Sequence, residues 1–117
     1  MLASGRIRGS MEFKDRKFKM FDETWYIKYV DHAPLTPEQD EDAFNGGLIS
    51  PTRRTIFIST KWPDGKPISK ESVENSLRHE LAHLILLSGQ YLSCYNDEPL
   101  VEWIAKSLGV LLKQHVI

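Results

Sequence analysis

The sequence predicts an α+β domain in which a small antiparallel or mixed β-sheet is followed by two helices. Two patterns carry that expectation. Short runs between residues 17 and 60 alternate apolar with polar side chains at the two-residue period of strands, and from Ser69 onward apolar residues recur at three- and four-residue steps. Strands first and helices after place the helices on one face of the sheet. A third observation supplies chemistry, because His79-Glu80-Leu81-Ala82-His83 falls inside the first helical stretch.

Residues 17–21 and 24–30 read as two strands joined at Asp22-Glu23, with Trp25, Ile27 and Tyr29 sharing one face. Residues 31–45 are acidic, contain Pro34 and Pro37 and have little periodicity, which makes them a loop or a short helix over 37–44. Gly46-Gly47 precedes the short run Leu48-Ile49-Ser50, residues 51–54 turn, and residues 55–60 form a strand in which Ile56 and Ile58 alternate with Thr55, Phe57 and Ser59. Residues 62–67 are a turn-rich bridge.

The first helix is expected over 69–88. Ser69 caps it, Glu71 and Glu74 suit the positive end of its dipole, and Ser88-Gly89 stops it. Val73, Leu77, Leu81, Leu84 and Ile85 form its apolar stripe, which Leu86 and Leu87 broaden. The second helix spans about 97–114, capped by Asn96 or Asp97, with Pro99 in its first turn and Val101, Ile104, Ala105, Leu108 and Leu112 on one side. The short loop over 90–95 makes the two helices antiparallel neighbours.

On a helix, His79 and His83 project from one face one turn apart, so both imidazoles can reach one metal ion. Glu80 then lies beside the ion, where a carboxylate can take a proton from a water. The competing readings are a surface helix with two unrelated histidines and, for either residue alone, a satisfied core histidine, which accounts poorly for a pair flanking a glutamate. A catalytic zinc site needs three protein ligands and an open position. Glu98 and Glu102, four apart on the second helix, are the candidates for the third, against the alternative that they form a solvated stripe.

HELAH on one helix, followed by a helix opening Asn96-Asp97-Glu98-Pro99-Leu100-Val101-Glu102-Trp103, resembles the small gluzincin metallopeptidases, above all the compact ImmA/IrrE-type and phage-encoded members. The resemblance covers about residues 45–112. It implies a zincin-like fold, Zn²⁺ as cofactor, His79, His83 and Glu98 as its ligands, and Glu102 as the residue that orients a ligand histidine. ImmA/IrrE-type proteins carry Ala-Asn where this chain has Val101-Glu102, which leaves open an exchange of roles between Glu98 and Glu102. In zincins the strand before the metal helix pairs with an extended substrate, and residues 55–60 are expected in that role, against the alternative that they form an ordinary interior strand. The longer metzincin motif is absent, since Leu86 and Gly89 occupy its later positions. The two-His, one-carboxylate set also serves iron oxygenases, but these have no need of a base at Glu80.

The implied activity is hydrolysis of a protein or peptide substrate by metal-activated water, with Glu80 as general base. An oxyanion donor is also required. Tyr95, Tyr91 or His115 could supply it, and Tyr95 is preferred because it lies beside Glu98. The resemblance suggests a prophage or bacterial regulator as substrate. The alternative is a catalytically weak zincin acting as a protein-interaction or regulatory module.

Composition frames the site. A chain of 117 residues with 41% hydrophobic content makes one domain with a modest core. A net charge of −1 argues against nucleic acid or an anionic membrane as partner, and the alternating run Lys14, Arg16, Lys17, Lys19 reads as the exposed face of a strand. Cys94 is the single cysteine, so no intrachain disulfide forms and a reducing cytoplasm is the expected location. No apolar run has the length of a membrane span, and no signal-peptide core is present. Residues 1–10, ahead of a second methionine at Met11, read as a vector-derived leader, leaving 11–117 as the domain.

Overall fold

A computed structural model describes residues 13–114, so the leader reading and His115 lie outside the described residues. The elements run β1 (Arg16–Met20), β2 (Glu23–Val30), β3 (Gly47–Ser50), β4 (Thr55–Ser59), α1 (Lys70–Ser88) and α2 (Glu98–Lys113). The strands form one mixed sheet in the order β1-β2-β4-β3, with β2 and β4 parallel and the other pairs antiparallel.

β1 and β2 form a hairpin in which Met20 pairs with Glu23, so the turn is Phe21-Asp22, one residue earlier than the sequence pattern suggests. Phe21 takes a φ of 55°, the left-handed conformation such a two-residue turn needs but a bulky side chain seldom adopts. The side chain escapes crowding by pointing into solvent, 80% exposed.

The sheet order corrects the expectation for residues 55–60. β4 is an interior strand and β3 is an edge strand that packs beside α1. The reason lies in the two faces of β4. Ile56 and Ile58 are fully buried in the core, while on the other face Ser59 is enclosed by the preceding loop: its hydroxyl accepts from Ala33 N at 2.7 Å and donates to the Asn45 carbonyl at 2.6 Å. A strand buried on both faces belongs inside a sheet. That loop contains turns and no helix over 37–44, because the Gln39 carboxamide takes the Thr36 N–H and pairs with the Asn45 side chain, offering the backbone an alternative to helical bonds.

α1 starts where Ser69 caps it, the Ser69 hydroxyl accepting from Ser72 N. One side of α1 packs on the sheet, where Val73 and Leu84 join Trp25, Ile27, Ile56 and Ile58. Another side meets α2, where Ala82 and Leu86 join Val101 and Ala105. α1 is therefore the middle layer, and α2 packs on α1 instead of lying beside it on the sheet. Ile85, assigned to the apolar stripe on spacing, faces outward. Among the described residues, no helix is long and apolar enough to cross a membrane.

Candidate metal centre

Helical geometry sets His79 and His83 one turn apart on α1, with ring centroids 4.9 Å from each other. The first turn of α2 faces them. Asp97 caps that helix by accepting from Leu100 N, and Pro99 is tolerated there because the first turn needs no backbone donor. The cap fixes where α2 begins and so holds Glu98 in its first turn, opposite the histidines, with Glu102 one turn further along.

The hydrogen bonds determine both histidine tautomers. Nδ1 of His79 lies 2.5 Å from Oε1 of Glu102, and Nδ1 of His83 lies 2.8 Å from the carbonyl oxygen of Tyr95. A carboxylate and a carbonyl can only accept, so both Nδ1 atoms carry the proton, and in the neutral imidazoles both Nε2 atoms present a lone pair. These Nε2 atoms are 3.3 Å apart, and the Glu98 carboxylate spans them, with Oε1 at 3.3 Å from His79 and Oε2 at 3.7 Å from His83. In that form three acceptors, the two Nε2 atoms and the Glu98 carboxylate, face one another. His79, His83 and Glu98 form a group whose ligand atoms all lie within 4.8 Å of one another and which could hold a metal ion.

The spacing fits a small tetrahedral cation: zinc–nitrogen bonds of about 2.0–2.1 Å at tetrahedral angles separate two ligand nitrogens by about 3.3 Å. Glu102 sits on the opposite side of the His79 ring, where it bonds Nδ1 and cannot share the point on which the Nε2 atoms converge. Of the two glutamates it is Glu98 that belongs to the group able to hold an ion. Burial holds His83 below the usual histidine range, although the Tyr95 carbonyl works the other way, and this favours the neutral ligating form.

Glu80 is 7% exposed. Burial pushes its carboxyl up to about 7, opposed by the His79 imidazole and assisted by the Glu98 charge. Its stem lies against Gly47, where a Cβ would come 2.9 Å from Glu80 Cγ and 3.1 Å from Ile58 Cδ1. Gly46 is equally close to α1, since a Cβ there would meet Ser76 Oγ at 2.9 Å. Both glycines let the backbone of β3 approach the metal helix. The Gly-Gly pair ahead of a strand was the only sequence signal of that approach.

Tyr95 contributes through two groups. Its carbonyl orients His83, a role that no side-chain pattern could have revealed, and its ring lies 5.1 Å from that of His83. Its half-buried phenol is held above the usual tyrosine range by burial and by the Glu80 charge. Tyr91 is exposed and packs near Gly89. Cys94 is turned into the cluster formed by Ala82, Leu86, Val101 and Ala105, away from the ligand group.

The open edge of β3 borders the centre. Ser59 N donates to the Gly46 carbonyl at 2.9 Å, and with the observed register Leu48 and Ser50 also direct their backbone groups toward β4. Gly47 and Ile49 therefore turn their N–H and C=O groups outward, and Gly47 does so beside Glu80.

No protein-family model matches this sequence, and neither the curated proteins nor the solved structures include a match to it.

Proposed function

We propose that this chain is a zinc-dependent peptidase of zincin-like architecture. The observation that carries the reading is the convergence of two tautomer-fixed Nε2 atoms and the Glu98 carboxylate beside a buried Glu80. His79, His83 and Glu98 would hold the zinc ion, which would supply a Lewis acid for a carbonyl and lower the pKa of a water.

The chain's own residues do the rest. Glu80 accepts a proton at its carboxylate and returns it to the leaving amine. Glu102 and the Tyr95 carbonyl hold the imidazoles in the ligating tautomer. The Tyr95 phenol donates to the substrate oxygen on which charge develops. Gly47 and Ile49 offer outward backbone groups to which an extended peptide adds as a further strand, which fits a protein or peptide substrate in an unfolded stretch.

Elemental analysis of purified protein should find about one zinc per chain, and zinc should raise the unfolding midpoint of chelator-treated protein by about 10 °C at a hundredfold excess over Kd. Zinc-loaded protein should cleave a mixed peptide library, and Glu80→Gln should keep the metal while losing hydrolysis by orders of magnitude. A protein with no bound transition metal and no thermal response to zinc overturns the reading, as does undiminished hydrolysis by Glu80→Gln.

A further inference from the structure

Beside His79 and Glu102 the cleft opens into a cavity of about 760 Å³, bounded by Gly46-Gly47, the first half of α1 and the second half of α2. Its charged lining is divided. Glu80 and Glu102 stand at the metal end, whereas Arg78, Lys106 and Lys113 line the remainder. Arg78 is held in place from two sides. Its Nη2 donates to Asn75 Oδ1, and its side chain lies across α2 at buried Gly109, where a Cβ would come 3.1 Å from Nε and 3.6 Å from Cζ.

Among the described residues Asn75 is the one hydrogen-bond partner of Arg78, and no carboxylate lies within ion-pair distance of it, although Glu74 stands one turn earlier on α1. A guanidinium has five donors in a planar fork that matches a carboxylate. Most of that capacity is unused here, in a cavity that shares Gly47, His79 and Glu80 with the catalytic site. A peptide bond held at the metal would place a neighbouring group of the same substrate in this space.

We propose, resting on the peptidase reading above, that this cavity is a substrate subsite selective for a carboxylate and that Arg78 determines the selectivity. Glu80 and Glu102 at the metal end weigh against a doubly charged phosphoryl group, so a singly charged carboxylate is the fitting ligand. It can come from an acidic side chain near the scissile bond or from the end of the substrate chain. Gly109 is a positioning residue for Arg78, because a Cβ there would press on the guanidinium by a few tenths of an ångström.

The test is direct binding to chelator-treated wild-type protein, which involves no turnover and no metal to which a carboxylate could bind. The probes are blocked, amidated alanine pentapeptides with one interior Glu, Gln or Lys, together with the all-alanine peptide as free acid and as amide. Amide and guanidinium signals in nitrogen-15 NMR spectra report the binding. The Glu peptide should bind about tenfold more tightly than the Gln peptide, with the Lys peptide weakest, and Arg78→Met should reduce the Glu/Gln ratio to within about twofold. Arg78→Lys should keep part of the preference, and Lys106→Met, at an exposed position, should lower it without affecting the fold.

A preference for the free acid over the amide, without one for Glu over Gln, identifies the chain end as the source of the carboxylate. Equal binding, or no binding, across both comparisons overturns the proposal. The two readings fail separately. Zinc-loaded protein that cleaves a peptide library with no acidic preference removes the subsite and leaves the peptidase, whereas carboxylate-dependent binding without hydrolysis does the reverse.

Discussion

Gly47 and Glu80 are in such close contact that a single added carbon would collide: a Cβ on Gly47 would sit 2.9 Å from Cγ of Glu80 and 3.2 Å from its Oε2. The edge strand and Glu80 therefore constrain each other. Fully buried Ile58, the cross-strand partner of Gly47, crowds the same position, its Cδ1 lying 3.1 Å from such a Cβ. In Gly47→Ala the side chain that yields is Glu80, and overpacking of this kind costs about 1–3 kcal/mol of stability. A displacement of about 1 Å at a reacting group costs on the order of a hundredfold in rate. Gly47→Ala should accordingly hold zinc as wild type does while its kcat falls by roughly that factor. Equal kcat would show that the contact does not position the base.

The two glutamates of α2 act on opposite sides of one imidazole. Glu98 faces the Nε2 atoms and Glu102 bonds Nδ1 of His79. In the zinc-bound protein proposed above, removing Glu98 would take away a bond and a negative charge at the ion, whereas removing Glu102 would free a ring to rotate and change tautomer, at a typical cost of about 10–100-fold in affinity. Glu98→Ala should weaken zinc binding well beyond Glu102→Ala in competition with a chromophoric chelator. The reverse order would exchange their roles.

Burial of Glu80 has a consequence for the metal-free protein. Its carboxyl titrates near 7 in the fold against a model value of 4.5, so the folded state binds this proton more tightly than the unfolded chain. The associated stability is fully present below pH 4.5 and is lost as pH rises through about 7, a change of about 3 kcal/mol. Gln at this position does not titrate. In chelator-treated protein, the unfolding free energy of Glu80→Gln relative to wild type should rise by about 3 kcal/mol between acid and mildly alkaline pH, and then level off. His83 titrates in both proteins and largely cancels from the difference. A pH-independent gap, measured by urea unfolding, would contradict the burial of the ionised carboxylate.

The parts of the site legible in the sequence are those that local geometry dictates. Two histidines four apart share a helix face wherever a helix forms, and Ser69 and Asp97 announce where the two helices begin. The α+β order followed from the change of period alone. Strand order did not, because the parallel pairing of β2 with β4 is a contact between distant segments with no local residue signature. β3 escaped notice as the cleft edge because four residues are too few to display alternation. The acceptor that orients His83 is a main-chain carbonyl, which every residue possesses, so the sequence drew attention to the ring of Tyr95 and not to its backbone.

The two groups of Tyr95 can be separated by one substitution. Tyr95→Phe keeps the carbonyl that accepts from His83 Nδ1 and keeps a ring against the His83 imidazole, 5.1 Å away in the wild type, so the metal centre should be intact. It removes only the phenol. That hydroxyl is half-buried within the field of Glu80, where a donor aimed at a developing oxyanion acts in a low-dielectric setting. Loss of one such donor typically costs about a hundred- to a thousandfold in kcat with little change in ground-state binding. Tyr95→Phe should therefore match wild type in zinc content and zinc affinity, show a similar KM, and lose kcat on that scale. If kcat is retained, the phenol only packs and the substrate oxygen finds its donor elsewhere. If zinc affinity falls in step with kcat, the ring supports the His83 ligand and the contribution of Tyr95 is structural throughout.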